Sequence, residues 1–530
     1  MTRISGDMAD RDKPVDGKKS SNDAKISSRL IARNAFMNMV GQAVPLFVAV
    51  ASIPFIVRGM GTDRFGLLSM AWMIMGYFTI FDLGLGRATT KYVAEALGKC
   101  EETKITKIIW TAITVQAIMG FAGAIVLLGI TDLLVDRVLS IPPELWSEAK
   151  VTFHLLAFSI PVVLITSSFT GVLEAAQRFD LINAVRIPSS ILSYLIPLIG
   201  VSLGLGLPGI VAIIILARLA ALVAFVAMNL RMRPELRYFS ATYSLLASLF
   251  AYGGWITVSS IVSPILVYLD RFLIGSLLTI AAVAYYTAPY EAITRLWIIP
   301  ASLTMTLFPA FSTLEGAENS QRLGMLFARS VKYILLTTGP IVVVICLFAR
   351  DLLQIWLGSD FATESTTVLQ ILAIGVLINS LAHTPFAFLQ GVGRPDLPAK
   401  FHFIELPVYI VVAWILVSKF GLAGAAEAWT LRVALDALLL FGATFKVYGF
   451  SMHLLSKNGT MLAGASLMSL AIIGYGLKMA EGAYSIYSQL LLVALVLLLF
   501  AWIAWNNVLD SSDRNAILNI INRKEKREIM

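Results

Sequence analysis

Leu173-Glu-Ala-Ala-Gln-Arg-Phe-Asp-Leu181 opens a stretch that runs through an apolar segment to Gly206-Leu-Pro-Gly209 and then through a second apolar segment holding Arg218. The same plan returns at Leu389-Gln-Gly-Val-Gly-Arg-Pro-Asp-Leu397, followed by an apolar segment, Gly421-Leu-Ala-Gly424 and an apolar segment holding Arg432. Arg178 and Asp180 match Arg394 and Asp396, and the offset between the copies stays between 214 and 216 residues. Apolar sequence does not keep a fixed offset over several landmarks by chance, so the chain reads as two related halves. Each half carries one arginine inside a hydrophobic helix. An ionisable residue at that depth marks a functional position.

Around this repeat the composition sets the class. The 530 residues are 58% hydrophobic and 14% charged, with a mean hydropathy of +0.80, whereas a soluble protein carries about 25% charged residues. The expected fold is an all-α polytopic membrane protein. The net charge of +8 comes from basic residues scattered through short connections, without the basic patch and interleaved aromatics of a nucleic-acid surface, so no nucleic-acid partner is expected. Two cysteines, Cys100 and Cys346, and four histidines offer neither a disulfide framework nor metal-ligand spacing. Neither a cofactor nor a metal is expected.

A bilayer core needs about 20 apolar residues per helix. On that ruler about 14 spans are expected, near 35–57, 65–86, 108–130, 151–174, 188–204, 208–230, 248–269, 281–311, 331–349, 366–390, 402–418, 422–445, 461–477 and 486–505. The eighth is overlong, and a loop is expected within it. Of the 41 lysines and arginines, 30 fall in the termini and even-numbered connections, 8 in the odd-numbered ones and 3 within spans. The positive-inside rule then puts both termini in the cytoplasm. The reading divides the chain into a disordered cytoplasmic tail (1–28), a six-helix lobe (29–232), a second six-helix lobe (233–450), an extra transmembrane helix pair (451–508) and a basic cytoplasmic tail (509–530). Prolines inside spans, among them Pro45, Pro54, Pro161, Pro264, Pro300 and Pro340, each remove a backbone hydrogen bond and kink a helix, as suits a transporter that rocks.

Enzyme motifs fail on context. Gly204-Leu-Gly206-Leu-Pro-Gly209 fits a dinucleotide fingerprint, but it lies between spans with no strand before it, and it reads as a tight turn. The Gly84-Leu-Gly86-Arg87 run lacks a third glycine. The residues that carry chemistry are instead the ionisable groups within or beside spans. Arg218, Arg295 and Arg432, with Arg87 and Lys91 after the second span, are candidates for a cationic cavity. Glu291 and Arg295 share a helix face at i,i+4. Asp82, Asp270, Arg271, Glu291 and Asp436 are candidates either for coupling to a proton or sodium gradient or for neutral structural pairs with the arginines. Arg218 has no acid within four residues.

Several segments resemble a known family. They are Asp63-Arg-Phe-Gly-Leu-Leu-Ser-Met-Ala-Trp72, Gly76-Tyr-Phe78, Phe81-Asp-Leu-Gly-Leu-Gly-Arg-Ala-Thr-Thr-Lys-Tyr-Val-Ala-Glu95, Tyr268-Leu-Asp-Arg-Phe-Leu-Ile-Gly275, Ala284-Tyr-Tyr-Thr287 and Leu307-Phe-Pro309. Together they resemble the bacterial polysaccharide-biosynthesis flippases, in the superfamily that also holds multidrug exporters. The resemblance covers roughly residues 30–450. It implies a bacterial inner-membrane protein, not an enzyme, that turns an undecaprenyl-diphosphate-linked oligosaccharide from the cytoplasmic to the periplasmic face for O-antigen, capsule or exopolysaccharide assembly. Implied partners are the lipid-linked oligosaccharide, membrane lipids, and the polysaccharide polymerase with its chain-length machinery. Two alternatives stand beside it, a multidrug exporter of the same superfamily and a membrane-embedded polymerase or glycosyltransferase.

Overall fold

The computed structural model describes residues 17–99, 101–316, 320–450, 456, 459–480, 486–511 and 513–515. Among them every regular element is a helix. The solvent explains this, because in hydrocarbon each backbone N–H and C=O needs an internal partner and a helix provides one within a single segment. Nine of the described helices are long and apolar enough to cross a bilayer. Large apolar side chains such as Phe47, Phe121, Phe158, Leu216, Ile472 and Leu498 are exposed, as they would be against lipid.

Helix α1 (Gly17–Tyr77) contains the first two expected spans. They meet at Gly61, whose φ of 80° is a conformation that a Cβ disfavours. This helix also takes in residues 17–28, which the sequence assigns to the disordered tail, and residues 18–40 contain no proline or glycine to stop it. The rest of that tail, residues 1–16, lies outside the described residues, as do 516–530 and Cys100. The second expected span does not run smoothly to residue 86. A 3₁₀ turn (Phe78–Asp82) and two left-handed residues, Leu83 and Gly84, separate it from α2 (Leu85–Gly98).

The first half continues through α3 (Glu102–Leu133), α4 (Trp146–Ala175), α5 (Phe179–Ser202) and α6 (Leu207–Met232). Then come α7 (Leu246–Leu277), α8 (Ile280–Thr294) and α9 (Ile298–Gly316). No loop interrupts the eighth span. A 3₁₀ turn (Arg295–Trp297) joins α8 to α9, and Pro300, which has no N–H to offer the carbonyl four residues back, accounts for a break at this point. Next are α10 (Ser320–Trp356), the short α11 (Ser359–Glu364), α12 (Thr366–Gly391) and α13 (Asp396–Tyr448). The eleventh and twelfth expected spans are the two arms of α13, broken at Gly421 with φ 58°. Helices α14 (Thr460–Ala480) and α15 (Ile486–Ile503) follow.

Within the first half α3 packs on α4, α4 on α6 and α2, and α5 on α1 and α6; within the second, α12 packs on α13, α10 and α9, and α13 on α7. The halves touch where α1 meets α8 and α7. Ser140, in the connection after α3, accepts from Ile280 N at 3.3 Å and donates its N–H to Gly275 O at 2.8 Å. At the same end the Trp356 indole donates to Val50 O at 2.8 Å. The last two helices lean on α10 through α14. Lys478 pairs with Asp351 at 2.8 Å, and beyond α15 Asp513 receives hydrogen bonds from Lys332 at 2.5 Å and Tyr333 at 2.6 Å. Arg329 reaches Asp510 at 3.0 Å. The start of the expected basic tail is therefore fastened to α10.

Candidate functional site

Helices α2, α4, α5 and α6 enclose a cavity of about 540 Å³. Pockets that hold a drug-sized ligand measure roughly 300–1,000 Å³. Its charged lining is Asp82, Arg87, Glu174, Arg186 and Arg218, and hydroxyls face it from Thr166, Ser167, Thr170, Ser189, Ser190 and Ser193. The serines follow from helical spacing, since Ser189, Ser190 and Ser193 sit on one stripe of α5. Hydroxyls of Ser189 and Ser193 bond back to the carbonyls of Val185 and Ser189, which lets them lie in an apolar helix at little cost and still accept from a ligand.

Two close approaches hold the cavity's α2 wall. A Cβ on Gly86 would sit 2.3 Å from Ser167 Oγ, and one on Gly171 would sit 2.9 Å from the Gly86 carbonyl oxygen. Asp82 fixes the start of α2, accepting from Gly86 N at 3.3 Å and from Gln116 Nε2 at 2.5 Å. A carboxylate at a helix amino end satisfies an orphan N–H and complements the helix dipole. Gln116 in turn accepts from Ser168. Asp82 is thus anchored by its neighbours, although it faces the cavity.

The cations of this cavity differ in freedom. Arg186 lies 3.6 Å from Glu174. Arg87 is exposed. Arg218 makes no hydrogen bond or ion pair among the described residues, and its Nε is buried without a partner. A buried guanidinium nitrogen without an acceptor is costly unless something anionic meets it.

The other sequence candidates lie elsewhere. Lys91, one turn beyond Arg87, is exposed beside the Tyr92 ring. Arg295 bonds Glu291 at 2.8 Å and reaches across the halves to Tyr194 Oη on α5 at 3.0 Å. Glu291 also lies 3.6 Å from Arg271, and Arg271 is 3.4 Å from Asp270, whose second oxygen accepts from Tyr286 at 2.6 Å. Arg432 faces Glu405, on the other arm of α13, at 4.0 Å and not Asp436, the acid on its own arm. The expectation of one cavity containing Arg218, Arg295 and Arg432 is corrected: Arg218 shares its cavity with Arg87, while Arg295 and Arg432 sit in ion-paired settings of the second half. The i,i+4 pair of Glu291 and Arg295 has the expected geometry.

Sequence reasoning missed Arg186, Glu174, Glu405 and His402. Arg186 and Glu174 flank a connection and read as loop charges. Glu405 lies three residues after the start of an expected span, a depth at which acids often reach the surface, and its distance from Arg432 along the chain hid their contact. No local signal marks it.

Comparison with known proteins gives the site a context. The sequence model of the polysaccharide biosynthesis protein family matches residues 31–315, and that of MatE matches 256–415. A Shigella flexneri protein named "Putative O-antigen transporter" is 33% identical over 410 residues, covering 77% of this chain and 96% of its own. Among solved structures, the lipid II flippase MurJ in an inward closed conformation superposes with a TM-score of 0.70 at 16% identity, covering 90% of this chain and 99% of its own. An inward-facing multidrug resistance MATE family transporter of the MOP superfamily gives 0.68 at 16% identity over 78% of this chain and 98% of its own. These two likenesses concern the fold. On the match over more than half its length and on the similarity to the Shigella protein, the chain belongs to the polysaccharide biosynthesis protein family.

Proposed function

We propose that this protein is a flippase for a lipid-linked oligosaccharide, and that the cavity around Arg218 receives the head group. The observation that carries the reading is Arg218 itself, half-buried, with its Nε buried and without a partner among the described residues, facing hydroxyls in a cavity of about 540 Å³. A sugar chain cannot cross lipid unsolvated, because each unmet polar group costs several kcal/mol. The hydroxyls of α4 and α5 replace its water. The diphosphate is an anion for which a guanidinium fork is the preferred partner, and Arg218, with Arg87 and Arg186 nearer the end of the lining, supplies that charge. The volume suits the diphosphate and first sugars, with the polyprenyl tail left in the bilayer.

On the orientation that the charge count supports, the end of the lining with Arg87, Glu174 and Arg186 faces the cytoplasm, and the inter-half contacts of Ser140 and Trp356 lie at the opposite side. That arrangement suits loading from the cytoplasm. Rocking of residues 29–232 against 233–450 would then expose the cavity to the other face, with the substrate for O-antigen, capsule or exopolysaccharide assembly handed on to a polymerase. No residue in this scheme makes or breaks a covalent bond.

The test is polysaccharide export in a strain lacking the protein, with membrane abundance measured in parallel. Arg218→Ala is expected to reduce export at least tenfold at normal abundance, and Arg218→Lys to keep partial export, because the charge survives while the bidentate fork is lost. Normal export by a well-expressed Arg218→Ala variant would refute the assignment.

A further inference from the structure

The second half holds a buried acidic pair that the transport scheme leaves unused. Glu405 is 1% exposed and, among the described residues, neither of its carboxylate oxygens has a hydrogen-bond partner; Asp436 is 7% exposed and its Oδ1 has none among them. One oxygen of each and one ring nitrogen of His402 lie within 4.8 Å of one another. Both acids are on α13, but on its two arms, which the break at Gly421 folds back so that residues 31 positions apart in sequence meet. Two carboxylates this close in a low-dielectric site do not both stay ionised unless positive charge offsets them. Arg432, at 4.0 Å from Glu405, offsets one. A single positive charge remains to be supplied.

We infer that Glu405 and Asp436 hold one exchangeable proton between them, and that His402 and His383 are its port. The port is visible as a cavity of about 180 Å³ lined by Asn379, His383, His402 and Asp436 among others. His383 Nδ1 is 2.9 Å from the Asn379 carbonyl oxygen, which can only accept, so the proton of a neutral ring sits on Nδ1 and Nε2 keeps its lone pair. His402 Nε2 is 4.0 Å from Asp436 Oδ1. His402 can therefore pass a proton to Asp436, and His383, on the lining of the same cavity, can relay one through that space. A metal cation is less suited, because Arg432 stands beside Glu405 and the imidazoles are poor partners for a hard monovalent ion.

The charged and titratable groups on the surrounding helices leave this assignment intact. From α13 itself they are Arg432 and Tyr409, whose ring lies 5.5 Å from the Arg432 guanidinium. His383 comes from α12. Tyr290 comes from α8, and from α7 come Asp270 and Arg271, which pair with each other. Trp429, one turn before Arg432, packs on Tyr290 at 5.6 Å, and the Arg271 guanidinium lies 4.1 Å from the centre of the same Tyr290 ring. Arg271, Glu291, Arg295 and Tyr194 complete the path to the first half. Loss of the shared proton would draw Arg432 onto the pair and be felt along this path. Its use as a coupling step rests on the flippase reading; the existence of the proton does not.

The experiment is infrared difference spectroscopy on the intact protein in lipid, titrated with acid and base at constant sodium, with released protons counted in parallel. The wild type is expected to show a protonated-carboxyl carbonyl band at neutral pH that disappears at high pH with release of a single proton. Glu405→Gln and Asp436→Asn should each lose that band, since a single remaining carboxylate no longer has a second negative charge beside it and the one positive charge of Arg432 balances it. His383→Gln should keep the band but slow its exchange with deuterium at least tenfold. Absence of the band in wild type at neutral pH, its persistence in both acid variants, or its removal by added sodium at fixed pH would overturn the proposal. These outcomes are read without transport, so a failure here is distinct from a failure of the Arg218 export test.

Discussion

The guanidinium of Arg271 lies 4.1 Å from the centre of the Tyr290 ring, with Asp270 and Glu291 at its nitrogens and the Val267 carbonyl accepting from it at 2.9 Å. Its acidic partners Asp270 and Glu291 are buried and half-buried, so removing it strands Asp270 in the protein interior. Breaking a buried pair in this way costs about 3–5 kcal/mol. Arg271→Ala should therefore lower membrane abundance several-fold and depress the thermal midpoint of the solubilised protein, and an added Asp270→Asn change should restore part of both. Unchanged abundance in the single variant would show that Asp270 finds another partner. Asp82 has a different status, held by the start of α2 and by Gln116. With the exchangeable proton assigned to Glu405 and Asp436, a double Asp82→Asn, Glu291→Gln variant should keep the gradient dependence of transport in vesicles, whatever its rate. Loss of that dependence would move the coupling site to one of these two acids.

At the level of helices, the cavity depends on how closely α2 can approach α4. Contact through Gly86 and Gly171 leaves no space for side chains, and Leu83 accepts a left-handed φ of 49° so that the chain can restart there as α2. A non-glycine residue in that region is strained by about 1–3 kcal/mol, which packing must offset. Gly171→Val would push against backbone, not against a flexible side chain, and overpacking of this kind costs about 1–3 kcal/mol. The expected result is a lower thermal midpoint together with lost export. Gly129 on α3, where an added Cβ meets nothing within 4 Å, provides the control, and Gly129→Val should change neither quantity. Equal behaviour of the two variants would mean that the α2 and α4 contact does not shape the cavity.

For the whole molecule, orientation is the first quantity to measure. With native cysteines replaced, a cysteine at Gly98 should react with an impermeant thiol reagent only from the cytoplasm and one at Glu144 only from outside. Both positions are exposed. Reversed labelling would reverse the direction of loading argued above. The carboxy-terminal fastening offers a second measurement. Burial alone would raise the Asp513 carboxyl, but the hydrogen bonds from Lys332 and Tyr333 outweigh it and hold the group below the usual carboxylate range. A depressed carboxylate contributes stability that is fully present above its unfolded value of about 3.9 and is lost as pH falls through the folded value. The thermal midpoint should accordingly drop in acid below about pH 4, and Asp513→Asn should start lower at neutral pH and lose part of that acid dependence. Identical pH profiles would show that the contact does not support the fold.

Hydropathy and the repeat were enough to read the class of this protein from its sequence. Apolar segments of bilayer length satisfy their backbones as helices, and copies at an offset of 214 to 216 residues are the ground for expecting two related halves. The pairing of Glu291 with Arg295 was equally legible, because four residues along a helix is a fixed distance. What the sequence does not carry is which helix faces which. Arg218 and Arg432 look equivalent at matching places in the repeat, yet among the described residues one has no partner beside the serines of α5 while the other is met by Glu405 from across the break at Gly421. Arg186, Glu174 and the two histidines gain their roles in the same way, through contacts between helices. Helix pairing in a membrane is decided by close packing and by the desolvation of charges among several neighbours, quantities that depend on the assembled structure and leave no local pattern in the chain.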